Sequence, residues 1–303
     1  MLNDTVATYL SVRRALGFKL HSTEKYLRNY ANFAAKKGDT HVISKTAVEW
    51  AAHAASESSR ATRMDALIRF SRFARAEDGR HEIPPNNVFC SYAPRPTPYI
   101  FTDEEVKQLI LEARRLGPPG TLRPHTYSTL LGLLASTGLR ISEALSLRFQ
   151  DVTPDGLIIR QTKFFKRRLV PLHESVVVAL GRYVQRRRKF ISSDDHIFIS
   201  GLGGKLGYYM VAKTFRNILK VAGVVGKPGG PKPRLHSFRH CFAVKALLNS
   251  PDTRDRIAQH MLAISTYMGH ADINSTYWYL ESTPQLMTDI VMAGELFMKG
   301  ERS

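Results

Sequence analysis

Apolar residues recur at helical spacing through the first ninety positions. Val6, Tyr9, Leu10 and Leu16 share one face with Arg13, so that face is mostly apolar. Tyr26, Leu27, Tyr30, Phe33 and Ala34 repeat the pattern, and Gly38 stops it. Ser44 stands where it can cap a third helix carrying Val48, Ala51 and Ala55, and a fourth helix holds Met64, Leu67, Ile68 and Phe73. The pattern then breaks. Pro94, Pro96 and Pro98 fall within five residues, which forbids a helix and favours an extended connector. This predicts a helical domain over residues 1–92, a linker over 93–100 and a second domain over 101–303. Thr102 and Glu105 have the spacing of a capping box that opens a helix just after the linker.

The second part mixes periods. Residues 127 to 137 are strongly apolar and end at Gly138. Residues 156–161 and 168–172 read as two strands joined by a short basic turn, and 196–200 reads as a third. Residues 176–190 read as a helix ending in a basic run. Residues 226–233 form a Gly/Pro loop, and successive helices follow from Leu235. The expected fold class is mainly α with a small antiparallel β-sheet.

Composition narrows the function. The chain has 303 residues, 43% of them hydrophobic, enough for one large or two smaller cores. Lys and Arg outnumber Asp and Glu 44 to 26, for a formal charge of +18. Such an excess favours a polyanion, nucleic acid ahead of an anionic membrane. Arg60, Arg63, Arg69, Arg72 and Arg75 ride on the fourth helix, several off its apolar face, where they can meet phosphates or simply be solvated. Cys90 and Cys241 are too few for a disulfide framework or a four-cysteine zinc site. The opening MLNDTVATYL lacks a basic segment followed by an apolar run, and no stretch approaches the roughly 18 apolar residues of a membrane span. The expected compartment is the cytoplasm, with the nucleoid as the place of work.

Three separated segments carry candidate chemistry. In Thr137-Gly-Leu-Arg-Ile-Ser-Glu143, Gly138 ends one helix and Ser142 begins another, so Arg140 sits in a turn. Glu143 is placed to orient that guanidinium or to cap the helix. In Leu235-His-Ser-Phe-Arg-His-Cys, His236 and Arg239 are three apart and share a helical face. His240 reads as a packing histidine, because no further ligand at metal-like spacing accompanies the pair. In the third segment, Gly269-His270 marks a helix break and Tyr279 follows nine residues on, while Tyr277 and Trp278 read as packing aromatics.

Together, G-L-R-x-S-E, then H-x-x-R-H, then G-H-x-x-x-x-x-T-x-x-Y resemble the signature of the tyrosine recombinase family, also called the phage-integrase family. The resemblance spans residues 101 to 282 and extends more loosely to the N-terminal helices, which are similar to that family's core-binding domain. It implies catalytic roles for Arg140, Lys163, His236, Arg239, His270 and Tyr279, with Tyr279 the nucleophile. The lysine belongs in the turn of a β-hairpin. Because Phe164 and Phe165 follow Lys163 where relatives often carry Gly or Asn, Lys166 remains a rival for the general-acid role.

The implied activity is site-specific cleavage and rejoining of double-stranded DNA through a 3′-phosphotyrosine link, serving integration, excision or transposition of a mobile element. It needs no ATP, metal or other cofactor: a covalent intermediate conserves the bond energy, and two guanidiniums supply the cationic role. The two domains are expected to close on duplex DNA as a C-shaped clamp. An apolar stripe of Leu286, Ile290, Met292, Leu296 and Phe297 is expected to dock on a neighbouring protomer, giving a homo-tetramer on DNA, alone or with sister recombinases. A type IB topoisomerase-like relaxing activity and a non-catalytic DNA-binding accessory protein stand as the alternatives.

Overall fold

The computed structural model describes residues 2–89, 97–160, 167–248 and 254–269, with side chains from 259 onward in the last segment. The chain divides into two compact units, Met1–Arg95 and Pro96–Ser303. The predicted connector 93–100 lies partly outside the described residues.

The first unit is four helices, α1 (Leu2–Ala15), α2 (His21–Lys36), α3 (Ser44–Ala52) and α4 (Glu57–Glu77). Their apolar stripes bury one another: Val6, Leu27, Tyr30, Trp50, Leu67 and Phe70 lie in one core. Aromatic edges lock it, with Tyr9 against Phe70 at 5.6 Å and Tyr30 against Trp50 at 5.3 Å between centroids. Three local expectations fail. Leu16 lies past the end of α1 and is exposed, because the chain turns at Gly17 with a positive φ. Ala55 lies beyond α3. Ser44 does not cap α3 but is its first residue, and its N–H is met by the Glu82 carboxylate at 2.7 Å, 38 residues away. A long-range carboxylate thus does what a local hydroxyl was expected to do.

The arginines of α4 have separate fates. Arg63 lies over the Trp50 ring and Arg69 pairs with Asp65 on the exposed side. Arg72 and Arg75 are exposed.

The second unit is mainly helical with a small antiparallel sheet. Among the described residues its helices are α5 (Asp103–Arg114), α6 (Arg123–Thr137), α7 (Ile141–Ala144), α8 (Glu174–Arg188), α9 (Tyr208–Val221), α10 (Ser237–Leu248) and α11 (Arg254–Met268). The capping box forms as expected, with Thr102 accepting from the Glu105 N–H and Glu105 from the Thr102 N–H. Helix α6 is central to this core: Leu130, Leu131, Leu133 and Leu134 are all buried, while Ser136 on the other face is exposed.

The sheet runs β1 (Val152–Thr153), β2 (Gly156–Ile159) and β3 (Arg168–Val170), each pair antiparallel. Leu157 stands opposite Val170, and both are fully buried. Residues 196–200 do not form the expected strand. They make two isolated bridges, Arg148 with His196 and Ile199 with Lys205. Ile197, Phe198 and Ile199 are buried in succession, whereas a half-exposed strand would alternate. The third strand is instead the short β1.

A buried histidine couples two parts of the first unit. His81 Nδ1 accepts the Val42 N–H at 3.0 Å, so the ring is neutral and its proton sits on Nε2. Burial, then the neighbouring His41, hold its pKa below the ordinary value, against the opposing pull of Asp78. A histidine with a depressed folded-state pKa contributes stability that is complete above the unfolded value near 6.5. That stability is lost as pH falls through the folded value. Melting the protein from pH 7.5 down to 5 should therefore show a loss with a slope of at most about 1.4 kcal/mol per pH unit from this group. His81→Asn keeps an acceptor and removes the titration, so its stability curve should be flatter over the same range. Superimposable curves would show that His81 does not titrate on unfolding.

Candidate active site

Helix α6 ends at Gly138, whose φ of +59° is left-handed, and the N–H of Gly138 still reaches Leu134 O at 3.0 Å. A Cβ there would lie 2.7 Å from the Phe242 ring. The turn delivers two groups to one place. The Gly138 carbonyl accepts from Arg239 Nη1 at 2.8 Å, and Arg140 follows immediately as the residue before α7.

Glu143 performs both roles that its spacing allowed. One oxygen accepts the Arg140 N–H at 3.0 Å and so caps α7, and the other accepts Arg140 Nη1 at 3.0 Å. The carboxylate is only 3% exposed. Arg168, from β3, meets it with both terminal nitrogens, Nη1 to Oε1 at 3.0 Å and Nη2 to Oε2 at 2.8 Å. Burial pushes the Glu143 carboxyl up, but the Arg168 hydrogen bonds and charge, with Arg140 behind them, outweigh it and hold the pKa low.

The same arginines close the end of α11. Arg168 Nε donates to Tyr267 O at 2.9 Å, Arg239 Nη2 to Met268 O at 2.7 Å, and Arg140 Nη2 to Gly269 O at 3.1 Å. Three successive carbonyls that the helix cannot satisfy itself are thus met by guanidiniums, with Arg140 Nη1 adding a longer bond of 3.5 Å to Met268 O. Gly269 has φ +65°, and a Cβ on it would lie 2.7 Å from Arg168 Nη1. The glycine is required both by the turn and by the guanidinium packed on it.

His236 stands one residue before α10 rather than within it, and its carbonyl accepts the N–H of Arg239 at 3.1 Å. The residue is exposed at the surface. Desolvation of its ring by the surrounding chain, then the charges of Arg239 and Arg140, lower its pKa. Its ring meets that of His240 edge-on at 4.6 Å. His240 is partly buried and held to a pKa of about 4, first by burial, then by His236 and Arg239. It flanks the site as a packing group.

The structure therefore gathers Arg140, His236 and Arg239 around the end of α11. Lys163, its rival Lys166, His270 and Tyr279 lie outside the described residues, as do Tyr277, Trp278 and the apolar stripe from 286 to 297. Arg168 was not among the residues expected here. A signal existed: it shares a strand face with Val170, which is fully buried, so alternation points a charge inward. Chemically, three guanidiniums at one helix end, two of them on the Glu143 carboxylate, leave a net positive centre. Arg140 keeps 37% of its side chain exposed there, while Arg239 is only 2% exposed. Such a centre suits a tetrahedral oxyanion held by paired donors.

The sequence model of the phage integrase family matches residues 100–285. The chain is 35% identical over 296 residues to the candidate integrase/recombinase y4rB of Sinorhizobium fredii (strain NBRC 101917 / NGR234), covering 94% of each chain. It is 30% identical over 278 residues to the tyrosine recombinase XerD of Brucella abortus biovar 1 (strain 9-941), covering 86% of this chain and 85% of that one. Among solved structures, it superposes on the Tn1549 transposon integrase in complex with transposon right end DNA with a TM-score of 0.66 at 18% identity. The match covers 98% of this chain and 99% of that one.

Two glycines of this region make a paired test. Gly138→Ala forces a side chain into a left-handed turn and against Phe242, and should cost about 1–3 kcal/mol in urea unfolding. Gly132→Ala, inside α6 and 3.9 Å from Ile110, should instead add about 0.5–1 kcal/mol. Equal effects of the two would mean that the turn carries no strain.

Proposed function

The chain belongs to the phage integrase family, and on that premise we propose that it is a site-specific DNA recombinase that cuts and rejoins strands through Tyr279. The observation that carries this reading is the convergence of Arg140 and Arg239, from two distant segments, on the same helix end beside His236. Two permanently charged guanidiniums within reach of one point are what a phosphodiester needs as negative charge gathers on its non-bridging oxygens.

In the forward step the Tyr279 phenolic oxygen attacks phosphorus. A new P–O bond forms to tyrosine, and the bond to the 5′ oxygen breaks. Lys163, or Lys166 in its place, gives that oxygen its proton, and His236 accepts the proton that the Tyr279 phenol loses. His270 adds a donor to the phosphate. Arg140 and Arg239 hold the two non-bridging oxygens. The 5′ hydroxyl of a partner strand reverses the sequence, so one phosphodiester is traded for another and no ATP is consumed. The guanidiniums fill the cationic role a divalent metal plays elsewhere.

The partner is double-stranded DNA carrying specific sites, and the net charge of +18 makes binding strongly salt-dependent. Exchange between two duplexes requires cutting two strands at each of two sites. Four tyrosines are therefore needed, which a tetramer of this chain supplies, alone or with sister recombinases. The biological use is integration, excision or transposition of a mobile element, carried out where the DNA lies, in the cytoplasm.

The test is a covalent trap. A binding site is selected from a random-sequence duplex pool, then nicked so that the released 5′ end diffuses away. Wild type should accumulate a protein–DNA adduct that denaturing electrophoresis resolves, and Tyr279→Phe should form none. An adduct that persists in Tyr279→Phe and disappears in Tyr277→Phe would move the nucleophile. The cleavage rate also has a predicted pH profile. Because its surroundings hold His236 below the ordinary value of about 6.5, the rate should stay level down to that pH and fall only below it. A fall already under way at pH 7.5 would remove His236 from the proton path.

A further inference from the structure

Arg168 is more than a strand residue. Its side chain is 11% exposed, so both it and Glu143 have been taken out of water, an arrangement that holds only with good geometry. The geometry is bidentate, with both Arg168 terminal nitrogens on both Glu143 oxygens. Arg140 is thereby left a single side-chain hydrogen bond to Glu143, through Nη1, and its Nη2 points to Gly269 O. Were Arg168 absent, one buried carboxylate would face one guanidinium. The lowest-energy arrangement would then be a two-pronged Arg140–Glu143 pair, which turns Arg140 away from any phosphate. Arg168 also anchors Tyr267 O and fills the space above Gly269, the residue that precedes His270.

We propose that Arg168 is a positioning residue of this site, occupying Glu143 so that Arg140 faces the scissile phosphate. This inference rests on the recombinase reading above. Arg168 itself touches no reacting atom. It acts through Glu143, and that gives it a signature that a merely structural ion pair lacks: its importance depends on the charge of Glu143.

The experiment uses the full chain and the nicked duplex, with binding and cleavage measured separately. Arg168→Met should bind the duplex with an affinity within about twofold of wild type, while the rate of adduct formation falls about a hundredfold, the scale of a misplaced catalytic group. Glu143→Gln removes the competing charge, so adding Arg168→Met to Glu143→Gln should cost less than about threefold further. Arg168→Lys keeps the charge but cannot bridge both oxygens in one plane, and serves if Arg168→Met fails to fold by circular dichroism. Its rate should fall about tenfold, with the same dependence on Glu143. Equal losses with Glu143 intact and in the Glu143→Gln background would overturn the proposal, as would unchanged cleavage or a loss of binding that accounts for the loss of rate. Those outcomes, with an adduct still formed by wild type, leave the recombinase reading standing. No adduct with wild type overturns that reading and this one together.

Discussion

A helix cannot bond its own last carbonyls, and the second unit is organised around how one such end is satisfied. Tyr267, Met268 and Gly269 close α11 with three carbonyls, and Arg168, Arg239 and Arg140 meet them between them. The arginines come from β3, from α10 and from the turn before α7. A small sheet, a buried helix and a glycine turn must therefore all be in register before the end of α11 is capped. Three positive charges at the negative end of a helix dipole are also favourable in themselves. Crowding three guanidiniums is not, and Glu143 is the counter-charge that makes it tolerable.

That arrangement makes the proposed chemical site coincide with a structural joint. A phosphate bound here would find donors already oriented by helix carbonyls and by one carboxylate, so little reorganisation is left for the reaction itself. The buried Glu143 is the pivot. It caps α7 through the Arg140 N–H, holds the Arg140 guanidinium, and is itself held by Arg168. The depressed pKa values of His236 and His240 follow from the same crowding, since desolvation of the rings by the surrounding chain and the neighbouring charges both oppose protonation. Both imidazoles are thereby biased to the neutral form beside two fixed cations.

The first unit follows a different logic. Its core is apolar and aromatic, and its polar joints lie in the connections: Glu82 at the start of α3, and His81 on the Val42 N–H. Both join segments nearly forty residues apart. They pin the loop before α3 to the chain that leaves α4, so the four helices are closed by hydrogen bonds as well as by packing.

Sequence and structure agree where the physics is local. The apolar period of α2 and α4, the Thr102–Glu105 capping box and the left-handed stop at Gly138 depend only on neighbours a few residues away. The order of the arginine, histidine and tyrosine segments is enough to identify the family. Other features are decided by parts of the chain far away. Glu82 displaces the expected Ser44 cap, consecutive burial of Ile197 to Ile199 replaces the expected strand, and Arg168 becomes part of the site. Each turns on which distant group fills a buried donor, acceptor or face. Periodicity reveals that such a group must exist, because buried polar atoms demand partners. Which residue supplies it is a property of the packed chain alone.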